Sequence, residues 1–495
     1  MTLDDLVTAL PFIWAVLVAG AVIVADMIRP GHDRLAATVA VVGIGIGMVM
    51  TVALGLQPGP REAFGGAYVV DPFTTLLDVV FLSIALLTLL FAPDYLLPRG
   101  LPLAEFSATL IFAISGAMLL AAARDLLVLF LGLELLVLPG YMLAGFAKRD
   151  GLSTEGAIKY FHLGSFSSAI FLFGLAYVWA FTGTTRVSGV SEALSPVAGG
   201  TAPFSVGLAM GLAFLFTGAA FKIAAVPFHY WTPDAYQGSP TPVTGYLSVG
   251  PKIAAFALIL RLFVEGLGPV KADWAVVVIV LAVATMTLGN LVALTQSNVK
   301  RMLAYSSIAH TGYILVGLAA YAAAPAGSAA ETAALQSVIF YAVAYTFMNL
   351  GAFAVVGALQ RRPGVTSELD TFAGLGRRAP VEGALMALFL ISLTGIPPLA
   401  GFLAKAYVIL AAVQVGGWLN FLAVVAVVNA AIAAFYYLRV VVYMYMREAP
   451  EGAPPIARSA ALRAGLAIAA ILTVAIGLFP TQIAAAVEAA AKALL

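Results

Sequence analysis

Long apolar stretches, separated by short clusters of charge, proline and glycine, run along most of the chain. Each stretch has roughly the 20 to 30 residues that an α-helix needs to cross about 30 Å of hydrocarbon. The apolar positions are continuous rather than alternating with a period of two, which favours helices over a barrel of strands. The pattern predicts an all-α polytopic membrane protein with about fourteen spans: 10–28, 35–56, 72–92, 103–122, 124–147, 157–182, 206–227, 242–265, 273–294, 300–323, 332–359, 380–411, 418–446 and 461–489.

Composition supports this prediction and excludes a water-soluble protein and cysteine-based sites. The 495 residues are 62% hydrophobic and only 10% charged, with a mean hydropathy of +1.03, so a water-soluble globular protein is excluded. The 25 basic and 24 acidic residues nearly cancel, which gives no indication of nucleic-acid binding. The chain has no cysteine and can build no iron–sulfur cluster, disulfide or thiolate zinc site. Any electron-transfer centre therefore has to lie on a partner.

The distribution of lysine and arginine orients the spans. With both termini outside, fifteen basic residues fall in inner loops and six, Arg124 and Arg261 among them, in the outer loops and tail. Because basic residues are enriched on the cytoplasmic side, we expect both termini on the non-cytoplasmic side, which is the periplasmic side if the membrane is a bacterial inner membrane. Four lysines remain, and all of them fall inside predicted spans: Lys159, Lys222, Lys252 and Lys405.

Ionisable groups inside a span are expensive and therefore indicate function. A lysine near the bilayer centre costs about 2.5 to 3.5 kcal/mol, and snorkelling of its long stem to the interface is the alternative explanation. This alternative is strongest for Lys159, which lies near a span end and one helical turn after Glu155. Glu134 is the acidic counterpart in the fifth span, and we expect it to form a switchable ion pair with Lys222. Asp78 lies nearer a span end, and its role stays open.

Two proline-containing breaks lie beside these lysines. FKIAAVPFHYWTPDAYQGSPTP has Lys222 ahead of its prolines, and SLTGIPPLAGFLAK has Lys405 after them. Non-helical backbone at membrane depth is tolerated where protein covers it or where it lines a wet cavity. Broken helices beside ionisable groups are typical of transporter sites built from internal repeats, so the two breaks suggest such a repeat.

Histidines are candidate proton carriers because their charge changes near neutral pH. His310 lies mid-span among tyrosine, serine and threonine, and we expect it to take part in proton transfer. His229 follows the first break and has either that role or a packing role, while His162 is assigned to packing and His32 to a loop. Single histidines on separate spans argue against a bis-histidine haem. The sequence has no motif for NADH, flavin, ATP or a redox metal, so the driving energy has to come from elsewhere.

Five segments carry the most specific motifs in the chain: LELLVLPGYMLAGF, EGAIKYFHLGSFSSAIFLFG, FKIAAVPFHYWTPDAYQGSPTPVTGYLSVGPKIAAFALILRLF, GNLVALTQSNVKRMLAYSSIAHTGYILVG and SLTGIPPLAGFLAKAYV. Together they resemble the antiporter-like membrane subunits of proton-pumping NADH:quinone oxidoreductase, respiratory complex I. The similarity is greatest to the subunit N type. SPTPVTGYLSVGPK is similar to the subunit N form of that segment, and Lys405 stands where subunit M carries a glutamate. The long lateral helix of subunit L is not expected, because the chain ends soon after the last predicted span.

The resemblance implies about fourteen helices with two inverted five-helix repeats, and with helices 7 and 12 broken. The implied divisions are helices 1–3 over residues 1–102, a first repeat of helices 4–8 over 103–270, a second repeat of helices 9–13 over 271–447, and helix 14 over 448–495. The resemblance also implies six proton-transfer side chains, matched by position: Glu134 on helix 5, Lys159 on helix 6 beside a neighbouring uptake path, Lys222 on broken helix 7, Lys252 on helix 8, His310 on helix 10 and Lys405 on broken helix 12.

The implied function is proton translocation in a respiratory-chain enzyme, driven by quinone reduction in a distant arm, with no redox chemistry in this chain. No cofactor or metal is then expected here, and FMN, iron–sulfur clusters and quinone belong to partner subunits. The expected partners are the other membrane subunits of complex I, including its other antiporter-like subunits, and the lipid bilayer. The alternatives are a subunit of a related cation/proton antiporter or of a hydrogenase- or ferredoxin-linked complex, and a scaffold without a transport role.

Overall fold

The computed structural model describes residues 2–453, 456 and 458–495, and this part of the chain contains twenty α-helices. The first ten are α1 (Leu3–Thr8), α2 (Leu10–Ile28), α3 (Asp33–Gly55), α4 (Pro72–Leu96), α5 (Leu103–Ala122), α6 (Leu126–Ala144), α7 (Gly151–Thr182), α8 (Val187–Ala198), α9 (Val206–Lys222) and α10 (Trp231–Gly238). The second ten are α11 (Thr241–Ile259), α12 (Lys271–Ala293), α13 (Val299–Ala323), α14 (Ala329–Leu359), α15 (Leu375–Arg378), α16 (Pro380–Thr394), α17 (Ala400–Val415), α18 (Trp418–Met446), α19 (Ala460–Leu478) and α20 (Pro480–Lys492). The predicted helical fold class is confirmed.

Twelve of these helices are long and apolar enough to cross a membrane: α2 to α7, α11 to α14, α18 and α19. The chain is therefore a multi-pass membrane protein. The predicted span 461–489 is not one helix, because α19 ends at Leu478 and α20 begins at Pro480. The predicted spans 206–227 and 380–411 are also divided. Helix α9 ends at Lys222 and an irregular segment leads to the short α10, while α16 ends at Thr394 and α17 begins at Ala400. The breaks thus fall where the prolines predicted them.

The centre of the molecule is made of α11, α13 and α14, which are almost entirely covered by neighbouring helices. Peripheral helices such as α2, α3, α12 and α18 are much less covered, and large apolar side chains including Trp418 and Phe421 are exposed on them. This surface suits hydrocarbon rather than water. Polar side chains are concentrated on the central helices, where protein rather than lipid surrounds them.

A short hairpin precedes α4 and was not predicted. Its strands, β1 (Arg61–Ala63) and β2 (Tyr68–Val70), pair antiparallel with Arg61 opposite Val70. The turn between them uses Gly65 at φ +67° and Gly66 at φ +86°, a region that glycine adopts at little cost. Each strand has only three residues, so a search for apolar segments of membrane length does not detect it.

Helix α13 holds the central position in the packing. Its start is capped by Asn298, whose side chain accepts from the Arg301 N–H at 3.2 Å and donates to Glu368 at 2.8 Å. From there the helix packs against α12, α14 and α17, and also against α10 and α18. This one helix therefore passes close to both breaks.

Candidate functional site

The first break holds Lys222 inside the protein. Lys222 is the last residue of α9 and is buried. Its ammonium donates to Ser168 Oγ at 3.0 Å and to Gly164 O at 3.4 Å, both on α7. Because these acceptors are themselves buried, the ammonium is held within the helix bundle and does not reach an interface.

Side chains of neighbouring helices satisfy the backbone that the first break frees. Thr311 Oγ1 donates to Ile223 O at 2.8 Å, and Val226 N donates to Thr285 Oγ1 at 3.0 Å. Unsatisfied backbone groups at membrane depth cost several kcal/mol each, so these hydrogen bonds stabilise the irregular segment. His229 is buried in the same segment, and its Nδ1 has no hydrogen-bond partner among the described residues.

Glu134 lies on α6 and is partly buried. One of its carboxyl oxygens is enclosed and has no hydrogen-bond partner in the described part of the chain. Its charge acts on Lys222 across a gap, since the described residues contain no ion pair within 4.0 Å between the two. The charges of Glu134 and Lys222 therefore interact, but the two side chains do not form an ion pair.

Lys252 and His310 meet at α13. Lys252, in the middle of α11, donates to Ser307 O at 2.7 Å and to Ser307 Oγ at 2.5 Å. His310, one turn further along α13, is hydrogen-bonded through Nδ1 to the Tyr341 hydroxyl at 2.7 Å and through Nε2 to the Tyr437 hydroxyl at 3.1 Å. Hydroxyl and imidazole groups joined in this way can pass protons by exchanging donor and acceptor roles.

The second break holds Lys405. This lysine lies on α17 and its ammonium donates to Leu393 O at 3.0 Å and Thr394 O at 2.8 Å. These carbonyls end α16, and the carbonyl end of a helix carries partial negative charge that favours a cation. The ammonium also lies 4.9 Å from the centre of the Tyr313 ring. Gly395, at φ +92°, leaves the space that the Lys405 stem occupies.

Side chains of α13 thus contact Lys252, Lys405 and the backbone of the first break. Ser307 accepts from Lys252, and His310 is hydrogen-bonded to Tyr341 and Tyr437. Thr311 donates to the Ile223 carbonyl at the first break, and the Tyr313 ring lies beside the Lys405 ammonium. His310 and its polar surroundings were visible in the sequence, but the contacts of Ser307, Thr311 and Tyr313 with the lysines and the first break were not. The available signal was the run YSSIAHTGY, whose polar residues recur at helical spacing inside an apolar span.

Lys159 lies apart from these residues. Its side chain is 42% exposed, and its ammonium is 2.6 Å from both Glu155 and Asp234. Arg301 pairs with the other oxygen of Asp234 at 2.7 Å. Partial burial acts to raise the pKa of Asp234, but the hydrogen bonds from Lys159 and Arg301 outweigh it and hold that pKa below its ordinary value. Lys159 therefore belongs to a charge network at one end of the bundle.

Arg261, which was counted with the outer loops although it lies near the end of the predicted span 242–265, is buried, and so is Lys300 at the start of the span 300–323. Lys300, near the start of α13, donates to Ser239 O at 2.6 Å and to Gln237 O at 3.0 Å. Arg261 lies in a π-helical segment, Leu260–Gly266, that continues α11 without a loop. An arginine flanked on both sides by apolar residues was the signal for this continuation.

The described residues contain no group of three or more histidine, cysteine, aspartate or glutamate side chains that could hold a metal ion. They contain instead four buried lysines, on α9, α11, α13 and α17, whose ammonium groups are hydrogen-bonded to uncharged oxygens. Helical membrane proteins with such buried, exchangeable charges are of the class that moves protons or other cations.

Comparison with known proteins identifies the family. Residues 123–432 match the family described as NADH:quinone oxidoreductase/Mrp antiporter, TM. NADH-quinone oxidoreductase subunit N of Chloroflexus aggregans is 41% identical over 486 residues, which cover 98% of this chain and 96% of that protein. A subunit N of Roseiflexus castenholzii is 42% identical over 460 residues, 93% of this chain and 91% of that protein. The chain belongs to this family, and within it to the subunit N type, which confirms the resemblance noted in the sequence.

Solved structures agree with this assignment. A chain of respiratory complex I from Thermus thermophilus with bound aureothin matches with a TM-score of 0.79 and 31% identity, covering 97% of this chain and 99% of that one. A chain of the Mrp complex from Dietzia sp. matches with a TM-score of 0.82 over 100% of this chain and 98% of that one. At 22% identity, the second match shows a shared fold alone.

Proposed function

We propose that this chain is a proton-translocating membrane subunit of a bacterial NADH:quinone oxidoreductase. The observation that carries the proposal is the arrangement of Lys222, Lys252 and Lys405, each buried and each bound to neutral oxygens. Lys252 and Lys405 contact α13 directly, and Thr311 of α13 donates to Ile223 O, one residue after Lys222. Protons pass through these lysines together with Glu134 and His310, and Lys159 serves a path of proton uptake. Quinone reduction elsewhere in the complex drives the transfer, with FMN, iron–sulfur clusters and quinone on partner subunits.

The energy scale of the Glu134–Lys222 pair suits this function. Moving one charge against about 200 mV costs about 4.6 kcal/mol. Leaving a buried charge without its partner costs about 3 to 5 kcal/mol, which is comparable. Closing the gap between Glu134 and Lys222 therefore stabilises a charged lysine, and opening it favours release of the proton. The separated arrangement in the structure corresponds to the open state of this cycle.

The proposed organisation has fourteen crossings, of which the two broken segments around Lys222 and Lys405 are the seventh and twelfth. Inverted repeats occupy 103–270 and 271–447, with 1–102 before them and 448–495 after them, and both termini face the periplasm. A test uses single cysteines in this Cys-free chain. An impermeant thiol reagent applied to sealed cells labels Lys492→Cys and not Arg361→Cys, and the reverse result contradicts the orientation.

The function itself is tested in the whole complex reconstituted into liposomes. Lys252→Ala lowers the number of protons pumped per electron, while Lys492→Ala, at an exposed position, leaves that number unchanged. Assembly is checked on a native gel. Pumping at the wild-type ratio in Lys252→Ala overturns the proposal. The absorbance spectrum of the purified complex is also recorded. If it shows no flavin and no iron–sulfur clusters, the chain belongs to a related cation/proton antiporter instead.

A further inference from the structure

A second group of buried charges lies at the Leu260–Gly266 end of α11, away from the lysines. Arg261 is 0% exposed, and its Nη2 donates to the two carboxylate oxygens of Asp71 at 2.9 and 2.8 Å. It also donates to Thr74 Oγ1 at 2.9 Å and pairs with Glu265. A guanidinium taken out of water requires such compensation. The contacts with Asp71, Thr74 and Glu265 supply that compensation inside the protein.

This ion pair is connected to a large charged cavity. Glu265, which pairs with Arg261, also lies 3.1 Å from Arg124. Glu265 and Arg124 both line a cavity of about 730 Å³, whose wall includes further charged side chains, and we call it the outer cavity. Its charged wall and its size suit water. Arg124 also pairs directly with Asp71 at 3.7 Å, so Asp71 is one ion-pair contact from a water-accessible space.

Asp78 lies further into the membrane span from this ion pair. Asp71, Thr74 and Asp78 follow one face of α4, at spacings of three and four residues. Asp78 is 2% exposed, and its Oδ1 has no hydrogen-bond partner among the described residues. The charges of Asp71 and Arg261 act on it. The buried hydroxyl of Tyr68, on which Asp78 acts, also lacks a partner in the described part of the chain.

Helix geometry places Asp78 near the depth of the lysines. Helices α4 and α11 pack together, and the contact between Asp71 at the start of α4 and Arg261 at the end of α11 makes them antiparallel. At 1.5 Å per residue, Asp78 lies about 10 Å along α4 from Asp71. Lys252 lies about 13 Å along α11 from Arg261. Asp78 and Lys252 therefore occupy similar depths on adjacent helices.

We propose that Asp78 carries a proton between the buried lysines and the outer cavity, and that the Asp71–Arg261 ion pair gates its exchange with that cavity. In the transfer, an ammonium group becomes an amine and the Asp78 carboxylate becomes a carboxylic acid. The acid then releases the proton to water of the outer cavity and returns to the carboxylate. Opening of the ion pair exposes Asp78 to that water. This inference rests on the proposed function, because it assigns one step of the same proton transfer.

The test uses the complete complex in liposomes and three variants on α4. Asp78→Asn keeps the volume but cannot carry the proton, and it lowers proton pumping roughly tenfold or more. Asp78→Glu restores much of the pumping. Thr88→Val is the matched control, because Thr88 is also buried on α4 with a hydroxyl that lacks a partner among the described residues, and it leaves pumping unchanged.

Two further measurements separate the possible outcomes. Wild-type pumping in Asp78→Asn, together with lost pumping in Lys252→Ala, overturns the inference and leaves the proposed function intact. Wild-type pumping in both variants overturns the proposed function. If Asp78→Asn does not assemble, infrared difference spectra after a pH step compare the wild type with Asp78→Glu. A carboxylic-acid band that differs between them supports the proton-carrying role, and identical spectra overturn it.

The gate is tested separately. Arg261→Lys keeps a positive charge but cannot form the two-oxygen contact with Asp71. We expect this variant to increase the passive proton leak of liposomes that contain the complex without substrate. If the proton leak and the pumping of Arg261→Lys equal those of the wild type, the Asp71–Arg261 ion pair is not a gate.

Discussion

The two breaks stabilise a buried lysine ammonium in different ways. At the first break, the Lys222 ammonium reaches across to another helix, α7, and a separate carboxylate, Glu134, lies near it. At the second break, the Lys405 ammonium turns back to the carbonyls that end α16, within the same broken segment. The first lysine thus depends on groups that belong to other helices. The second obtains its compensation from the break itself.

This difference indicates different roles for the two lysines. Because the end of α16 carries fixed partial negative charge, the environment of Lys405 stays favourable to a cation whatever the state of nearby carboxylates. Lys222 has neutral acceptors, so its preference for the charged form varies with the distance to Glu134. We infer that the protonation of Lys222 is switched by its distance from Glu134. Lys405, in contrast, holds its proton beside the α16 carbonyls.

The largest expected effect is at Lys405. Lys405→Ala removes the only side chain that the two α16 carbonyls bind through the described contacts, and pumping falls by roughly 10²-fold or more. Lys405→Glu retains more activity than Lys405→Ala, since a protonated carboxyl can donate to the same carbonyls. The measurement is protons pumped per electron in liposomes, with Lys492→Ala as control. Wild-type pumping in Lys405→Ala contradicts the assignment.

A double-mutant cycle at the first break sharpens the comparison. Glu134→Gln and Lys222→Ala each reduce pumping, and the double variant is little worse than either, with a coupling of about 0.5 to 3 kcal/mol. The control cycle pairs Glu134→Gln with Lys405→Ala, whose losses add to within about 0.5 kcal/mol. Additive losses in the first cycle mean that Glu134 and Lys222 act independently, and the switch is then abandoned.

A smaller effect is expected at the glycine that makes room for Lys405. A Cβ on residue 395 would lie 2.9 Å from Lys405 Cδ, and the φ of +92° adds about 1 to 2 kcal/mol of strain. Gly395→Ala therefore displaces the lysine and lowers pumping several-fold. Gly364→Ala is the matched control, because its φ is +85° and nothing lies within 4 Å of the new carbon. Equal losses in the two variants would show a strain effect unrelated to the lysine.

The smallest effect is expected at Ser168. Ser168→Ala removes one hydrogen bond to the Lys222 ammonium, while Gly164 O remains as an acceptor and limits the loss. We expect a modest fall in pumping rate with the proton-to-electron ratio preserved. Ser167→Ala, which removes a hydroxyl bound to Gly218 O instead, serves as control. A larger loss in Ser167→Ala than in Ser168→Ala contradicts the description of the first break.

Groups that stand out within their own span could be predicted from the sequence. In a chain with 10% charged residues, a lysine or a proline inside an apolar run is visible without any knowledge of its neighbours. Lys252, Lys405 and the breaks after Lys222 and Thr394 are of this kind. Helix type and approximate bounds followed from the same local pattern.

Contacts between distant segments could not be predicted in this way. Arg261 looks like an ordinary span-end arginine until Asp71, 190 residues earlier, is placed beside it. The acceptor of Lys222 on α7 lies 54 residues away, and the gap to Glu134 depends on how α6 and α9 sit relative to each other. The role of α13 as a shared neighbour is a property of the packing, which no single segment encodes.

Helix α13 also has a consequence for how the protein is made. It is the least apolar of the twelve long helices, although almost all of it is enclosed by protein in the finished fold. A segment with buried Lys300, Ser307 and His310 partitions poorly into lipid when it leaves the insertion machinery alone. Its predecessor α12 is among the most apolar of the twelve, and the two helices pack against each other over much of their length. We therefore expect α13 to enter the bilayer packed against α12 and to be covered when α14 and α17 follow.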